Sequence, residues 1–134
     1  MPEIQAVIET SLYVDDLAKT EAFYRDVLGL AVIGKEPGRH VFFRVGEKNV
    51  LLAFNAATTL QGDTPHGATG PGHFALGINA ADLDHWRQRL LAHGVVIEKE
   101  VQWPRGGRSL YFRDPAGNCV ELVTPGCWGL ASGW

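Results

Sequence analysis

The segment SLYFRDPAGNCVELV, residues 109–123, predicts a β-hairpin. Its centre, DPAGN at residues 114–118, has the composition of a tight turn, and the runs on either side are suited to strands. A second segment, HVFFRVGEKNVLLAF at residues 40–54, aligns with it without a gap at an offset of 109 − 40 = 69 residues. A hairpin that occurs twice in one chain indicates an internal repeat.

The repeat extends to the N-terminal side of each hairpin. ETSLYVDDL (residues 9–17) resembles HFALGINAADL (residues 73–83) at an offset of 73 − 9 = 64 residues, and both predict an alternating strand that leads to an aspartate helix cap. Each helix is predicted to end at a glycine, Gly29 or Gly94, and a short apolar strand follows at residues 30–33 or 95–97. The apolar helix stripes are Leu17, Phe23, Tyr24, Val27 and Leu28 in one half and Leu83, Trp86, Leu90 and Leu91 in the other.

Each half therefore predicts the element order β-α-β-β-β, and the chain is predicted to adopt an α+β fold of two tandem modules. We place the modules at residues 4–56 and 72–124 of one domain, residues 1–134, with a linker at 57–71 that is rich in Gly, Thr and Pro. Neither half is long enough to bury its own sheet face well. We therefore expect the two sheets to close against each other or against those of a second chain.

Composition narrows the class of protein. Of the 134 residues 46% are apolar and 20% are charged, which is ordinary for a globular domain. The formal net charge of -3 argues against nucleic acid or an anionic membrane as a partner. The N-terminus lacks signal-peptide features and the apolar runs are too short to span a bilayer, so we expect a cytoplasmic protein in which Cys119 and Cys127 are reduced.

Glu121 is the least expected residue of the second hairpin. In its strand, Cys119, Glu121 and Val123 share one face and two apolar residues share the other, so the strand is predicted to be buried on both sides. Its repeat partner is Leu52, since 121 − 69 = 52. A stray Glu in a strand usually points to water, but a buried carboxylate needs a cation or strong hydrogen-bond donors.

Glu9 and His73 are repeat partners, and both carry side chains that bind metals. With Glu121 they would supply one imidazole and two carboxylates, a set that suits Mn²⁺, Fe²⁺, Ni²⁺, Co²⁺ or Zn²⁺ with positions left open for water or substrate. A single His at a strand start is more often a hydrogen-bonded structural residue, so this alternative stays open at this point.

Four motifs together resemble the vicinal oxygen chelate superfamily, which includes glyoxalase I, bleomycin resistance proteins, fosfomycin resistance proteins and extradiol dioxygenases. They are LYVDDL (residues 12–17), FYRDVLGL (23–30), GHFAL (72–76) and FRDPAGNCVEL (112–122). The resemblance covers about residues 8–125 and implies paired βαβββ modules that each curl into a half-barrel around a metal site. It also implies a homodimer, in which the modules pair within a chain or are exchanged between chains.

The resemblance implies that Glu9, His73 and Glu121 are the metal ligands and that Glu9 and Glu121 are the catalytic carboxylates. Two departures from the family pattern stand out. Glyoxalase I usually adds a Glu from the fourth strand, where this chain has Leu52, and Glu9 occupies a position that is commonly His. The additional carboxylate would make the site more anionic and could leave one carboxylate free to act as a base.

Candidate substrate-binding residues lie on or beside the hairpin strands: His40, Asn55, Arg108 and Tyr111. The loop WPRGGR at residues 103–108 offers an indole and two guanidiniums that could bind an anionic or aromatic substrate. The alternative for His40 is an exposed strand-end residue, and for the loop and His66 a solvated turn. Trp128 and Trp134 are predicted to cover a dimer interface or the mouth of the cavity.

Two functions remain open from the sequence. The first is an enzyme that uses one divalent metal to chelate two neighbouring oxygens of a small substrate, as a lyase, isomerase or extradiol-type dioxygenase. The second is a metal-free binding protein of the bleomycin resistance type, in which Glu9 and Glu121 contact a cationic ligand directly. The metal content of the purified protein would distinguish them.

Overall fold

The computed structural model describes residues 1–63, 65–131 and 133–134, and the chain divides into two compact units, residues 1–70 and 71–134. Each unit contains one four-stranded sheet and one main helix, which confirms the α+β prediction. The strands of the first unit are β1 (Glu9–Val14), β2 (Ala31–Glu36), β3 (His40–Val45) and β4 (Asn49–Asn55), with helix α1 (Leu17–Ala22). Those of the second are β5 (His73–Gly77), β6 (Lys99–Gln102), β7 (Arg108–Arg113) and β8 (Cys119–Val123), with helix α2 (Leu83–Ala92).

The two sheets have the same topology. The strand order is β1-β4-β3-β2 in the first unit and β5-β8-β7-β6 in the second, with one parallel pair in each. In the first parallel pair Leu12 is the partner of Ala53, and in the second Leu76 is the partner of Leu122. Since 76 − 12 = 64 and 122 − 53 = 69, both offsets found in the sequence hold in the hydrogen-bonded register, and the repeat is confirmed.

The first helix begins at its predicted cap and ends at Gly29 as predicted, but its winding changes in between. The Asp16 side chain accepts a hydrogen bond from the Lys19 amide at 2.9 Å, so Asp16 caps the helix. After Ala22 the chain widens into a π-helical turn, Phe23–Val27, which places Tyr24 and Phe43 in ring contact at 5.4 Å. Tyr24 and Phe43 are both fully buried, so the π turn belongs to the core of the first unit.

The second module departs from the prediction at two points. The strand expected at residues 95–97 lies instead at Lys99–Gln102, because the Val95 amide still bonds to the Leu90 carbonyl and completes the helix end. Asp82 precedes α2, but its side chain makes no cap hydrogen bond there, since a 3₁₀ turn, Ala80–Asp82, leads into the helix. Leu90 is buried whereas Leu91 is 59% exposed, so the apolar stripe is narrower than predicted.

Among the residues that the structure describes, no helix is long and apolar enough to cross a membrane.

Candidate metal and substrate site

Strand alternation places a set of polar side chains on one face of the second sheet. His73 pairs with Cys119, and Tyr111 pairs with Glu121, so all four residues have the same facing. The opposite face carries the apolar residues Phe74, Leu76, Leu110, Phe112, Val120 and Leu122. The polar face is therefore the candidate site, and the apolar face belongs to the core of this unit.

His73 and Glu121 lie in contact on adjacent strands. The Nε2 atom of His73 is 3.3 Å from Oε1 of Glu121. The imidazole is about half exposed, whereas Glu121 is only 8% exposed. Glu121 is thus the buried carboxylate predicted from its strand, and His73 lies at the open end of the pair.

The His73 ring is oriented by the backbone of the neighbouring strand. Its Nδ1 atom lies 3.1 Å from the Cys119 carbonyl oxygen. A carbonyl oxygen can only accept a hydrogen bond, so Nδ1 carries the proton and Nε2 faces Glu121. This arrangement, in which one ring nitrogen donates to a backbone carbonyl and the other faces a metal, is typical of metal-ligating histidines.

Glu121 is held from its other oxygen by a chain of donors. Ser109 Oγ donates to Glu121 Oε2 at 2.5 Å, and Trp103 Nε1 donates to Ser109 Oγ at 2.8 Å. Ser109 is fully buried, so it fixes the carboxylate from the interior of the second unit. The sequence analysis treated Ser109 only as the repeat partner of His40. The signal that would have found it is its strand parity with Tyr111 and hence with Glu121.

Tyr111 completes the polar face. Burial raises the pKa of the Tyr111 phenol, and the charge of Glu121 together with the hydrogen bond between them raises this pKa further. The phenol ring also stacks on His73, with ring centroids 6.2 Å apart. Of the predicted substrate residues, Tyr111 is the one that the structure brings into contact with Glu121.

The turn before β8 fixes the start of β5, where His73 lies. Asn118 Oδ1 accepts from the Gly72 amide at 2.7 Å, and Asn118 Nδ2 donates to Asp114 at 3.0 Å. Asp114 and Asn118 are both buried, and Gly117 between them adopts a positive φ of 87°. The DPAGN motif therefore fixes the backbone at the start of β5, next to the predicted metal ligand His73.

The first sheet presents a different surface at the corresponding positions. Glu9 and Leu52 lie on one face by strand parity, and Leu52 stands where the second unit has Glu121. Glu9 is exposed and Leu52 is 9% exposed. Within the described residues no group of three or more His, Cys, Asp or Glu lies close enough to hold a metal ion. The role of Glu9 as third ligand and catalytic carboxylate stays a prediction.

His40 belongs to an aromatic cluster on the same face of the first sheet. Its ring stacks on Phe42 at 4.0 Å, Phe42 contacts Phe54, and Tyr13 bonds to Nδ1 of His66 at 2.6 Å. Nδ1 of His40 is buried and makes no hydrogen bond to any described residue. Burial lowers the pKa of His40, against the opposing effect of Glu36.

Asn55 and Arg108, the other two predicted substrate residues, do not lie on the polar face that carries His73 and Glu121. Asn55 donates to the Gly38 carbonyl and accepts from the Ala57 amide, so both ends of its amide bind the backbone. Arg108 has the strand parity of Leu110, opposite to Tyr111, and its guanidinium donates to Gln102 at 3.4 Å. Arg108 lines a cavity of about 220 Å³ together with Leu83 and Leu110. Their contact with substrate stays a prediction.

The loop after β6 is closed by its own hydrogen bonds. The Trp103 amide bonds to the Gly107 carbonyl at 3.0 Å, and the Gly106 amide to the Trp103 carbonyl at 3.1 Å. Arg105 donates to the Trp128 carbonyl, which ties the loop to the C-terminal segment. Trp128 itself is 71% exposed, and both cysteines are free thiols.

Residues 6–122 match the glyoxalase/bleomycin resistance protein/dioxygenase superfamily, which is most of the chain. The chain belongs to this superfamily. The resemblance drawn from the sequence motifs is thereby confirmed, as is the fold that it implied.

Among solved structures, a lactoylglutathione lyase from Agrobacterium tumefaciens is similar with a TM-score of 0.90 and 41% identity, over 96% of this chain and 100% of that one. Among curated relatives, a metallothiol transferase FosB from Staphylococcus saprophyticus is 28% identical over 90% of this chain and 78% of its own length. A glutathione transferase FosA from Serratia marcescens is 29% identical over 89% and 80% respectively. The named relatives are enzymes of two reaction classes.

Proposed function

We propose that this protein is a divalent-metal-dependent enzyme that acts on a small substrate with oxygen atoms on neighbouring carbons. His73 and Glu121 would be two of its metal ligands and Glu9 the third. The observation that carries the proposal is the contact of 3.3 Å between His73 Nε2 and Glu121 Oε1. With the proton on Nδ1, the Nε2 atom of a neutral imidazole and the Oε1 atom are both lone-pair donors, and a cation or a second proton between them stabilises such a pair.

The surrounding residues fit a metal better than a structural ion pair. The Cys119 carbonyl sets the histidine tautomer and Ser109 holds the second oxygen of Glu121, which are the supporting contacts that metal ligands require. A metal bound there would polarise a substrate oxygen and stabilise negative charge. Its identity among Zn, Ni, Co, Mn and Fe is left to experiment, since one imidazole and two carboxylates accept all of them.

The carboxylates supply the proton chemistry in this proposal. Glu9 is an exposed carboxylate, so it is the better candidate for the base that removes a proton from substrate carbon. Glu121 is held by Ser109 and is therefore better suited to bind the metal in a fixed orientation than to carry a proton.

The reaction class favoured first is lyase or isomerase. The relative with 41% identity is a lactoylglutathione lyase. Lactoylglutathione carries a hydroxyl and a thioester carbonyl on neighbouring carbons. Transfer of its carbon-bound proton to the neighbouring carbon, together with transfer of the hydroxyl proton to the other oxygen, converts this pair into the carbonyl and hydroxyl of the isomeric hemithioacetal. That is an oxygen arrangement that a metal with two open positions can chelate, and it needs one base at the carbon.

Thiol transfer is the second candidate, and Leu52 favours it. A carboxylate is expected at this position in glyoxalase I, whereas the three-ligand members of the superfamily do without it. The curated relatives include a metallothiol transferase and a glutathione transferase. In this reaction a thiolate would open a strained ring of the substrate, and Tyr111 could donate a proton to the leaving oxygen.

Metal titration by calorimetry with Mn²⁺, Ni²⁺ and Zn²⁺ tests the proposal. We expect one high-affinity ion per chain in untagged protein, and loss of binding in His73→Ala and in Glu121→Gln. His85→Ala, an exposed histidine on α2, is the matched control and should bind as wild type. Turnover of the methylglyoxal–glutathione hemithioacetal, against addition of glutathione to fosfomycin, then separates the two reaction classes. Unchanged metal binding in His73→Ala would contradict the site, whereas no metal binding by the wild-type protein would favour the metal-free binding protein.

A further inference from the structure

The face that carries the candidate metal ligands is also contacted by the C-terminal segment. Gly77 follows His73 and Ala75 on the same side of β5. A Cβ atom added to Gly77 would overlap Cη2 of Trp134 and lie 2.5 Å from its Cζ2. The indole of Trp134 therefore occupies the space that a side chain at position 77 would fill.

The indole lies two residues along β5 from the strand partner of Glu121. Glu121 is the strand partner of Ala75, and Gly77 is two residues further along β5, about 7 Å away. Ala75 is exposed, so the sheet is open between the His73–Glu121 pair and Trp134. The open position over Ala75 thus has metal-binding groups on one side and an aromatic ring on the other.

The C-terminal segment is held in this place by its own hydrogen bonds. The Trp134 carbonyl accepts from the amides of Trp128 and Leu130 at 3.0 and 3.1 Å. The segment is also packed against the loop after β6, where a Cβ at Gly107 would lie 2.7 Å from the Thr124 carbonyl oxygen. Two glycines, Gly77 and Gly107, therefore make room for it, one under the indole and one under the backbone.

The first half of the repeat supports a role for a ring at this position. The residue equivalent to Gly77 is Tyr13, since 77 − 64 = 13, and its phenol covers the same place on the first sheet beside Phe54. The second half has Gly77 in place of this tyrosine, and the indole of Trp134, which lies outside the module, occupies the space instead. An aromatic ring is thus present at both places, by two different routes.

We propose that Trp134 is a specificity-determining residue: its indole forms the wall of the substrate pocket beyond Ala75 and limits the size of the group attached to the two chelated oxygens. The proposal rests on the proposed function for the identity of the pocket. It restricts the substituent next to the neighbouring oxygens to the space over Ala75 that the indole leaves open.

A thiol introduced at position 75 tests, without any metal, whether the Trp134 indole limits the space over Ala75. In a background of Cys119→Ser and Cys127→Ser, Ala75→Cys places one thiol on the open position. We expect reaction with N-ethylmaleimide to be similar with and without Trp134→Ala, and reaction with the bulky N-(1-pyrenyl)maleimide to become at least about tenfold faster in that variant. Gly77→Ala should act in the same direction because its Cβ displaces the indole, and Trp128→Ala, in the same segment, should change neither rate.

A metal-dependent readout links the wall to the site. Acetohydroxamate and benzohydroxamate both chelate through neighbouring oxygens and differ in the size of the substituent. With Ni²⁺ bound, Trp134→Ala should improve the affinity for benzohydroxamate relative to acetohydroxamate by about tenfold, at unchanged Ni²⁺ affinity. Equal pyrenylmaleimide rates in wild type and Trp134→Ala would overturn the wall, whereas failure of Ni²⁺ binding with an altered thiol rate would contradict only the proposed function.

Discussion

Ser109 Oγ donates a hydrogen bond of 2.5 Å to Glu121 Oε2, and this bond fixes the one buried carboxylate of the candidate site. Both residues are buried, and they lie on neighbouring antiparallel strands with the same facing. The bond leaves Oε1 turned to His73. Ser109, which is not a proposed metal ligand, therefore sets the orientation of the proposed ligand Glu121.

Ser109→Ala is therefore expected to weaken metal binding about 10- to 100-fold, the usual effect of removing a contact behind a metal ligand. It should also lower the free energy of unfolding by about 1–3 kcal/mol, since it leaves Trp103 Nε1 and one Glu121 oxygen without their partner. Calorimetric titration and urea unfolding measure the two effects. Trp103→Phe keeps the Ser109–Glu121 bond, so a metal affinity as low as that of Ser109→Ala would contradict this explanation.

Leu52→Glu tests whether the face of the first sheet contributes to the metal site. The new carboxylate would lie on the face of Glu9, at the place where the second sheet has Glu121. We expect tighter metal binding than in Leu52→Gln, which has the same shape without the charge. Both variants should lose about 1–3 kcal/mol of stability through burial of a polar group. Equal metal affinity of the two variants, measured by competition with a chelating dye, would place the metal away from this face.

Asn118→Ala should destabilise the second unit more than Asn49→Ala destabilises the first. Asn49 and Asn118 are repeat partners and each joins the start of a strand to the segment before its parallel neighbour, through Val7 and Gly72 respectively. Asn118 is buried and also bonds to Asp114, so its loss is expected to cost about 1–3 kcal/mol. The exposed Asn49 is expected to cost about 0.5–1 kcal/mol. Urea midpoints in the reverse order would refute this assignment.

His40 makes stability depend on pH near neutrality. Burial lowers its pKa in the folded chain, so the unfolded chain binds this proton more tightly. Its contribution is fully present above the ordinary histidine pKa of about 6.5 and is lost as the pH falls through the lower folded value. Two charged neighbours act on the pKa of His40 as well: the positive charge of Arg39 lowers it, and the negative charge of Glu36 raises it.

His40→Phe keeps a ring against Phe42 and removes the titrating group. Its free energy of unfolding should therefore fall less than that of wild type between about pH 7 and about pH 5. His85→Gln, at an exposed histidine, serves as control and should follow wild type. The same slope in His40→Phe and wild type, from urea unfolding at several pH values, would be evidence against a lowered pKa of His40 in the folded chain.

The fold could be read from the sequence because its signals are local and occur twice. Two hairpins in register at an offset of 69 residues, two capped helices and two glycine stops predict βαβββ modules without any long-range information. The errors are local as well. The strand expected at residues 95–97 begins at Lys99, because the helix end uses the Val95 amide before the ladder can start.

Sequence by itself determined the repeat, the family and the identity of His73 and Glu121 as the unusual polar residues of otherwise apolar strands. Only the tertiary structure decided what holds them. Ser109 reaches Glu121 from the neighbouring strand, and the Cys119 carbonyl reaches His73. Trp103 donates to Ser109 from the loop after β6, and the indole of Trp134 reaches Gly77 from the C-terminal segment. The physical reason is that side-chain hydrogen bonds and ring contacts depend on register and facing between strands, which no local pattern encodes.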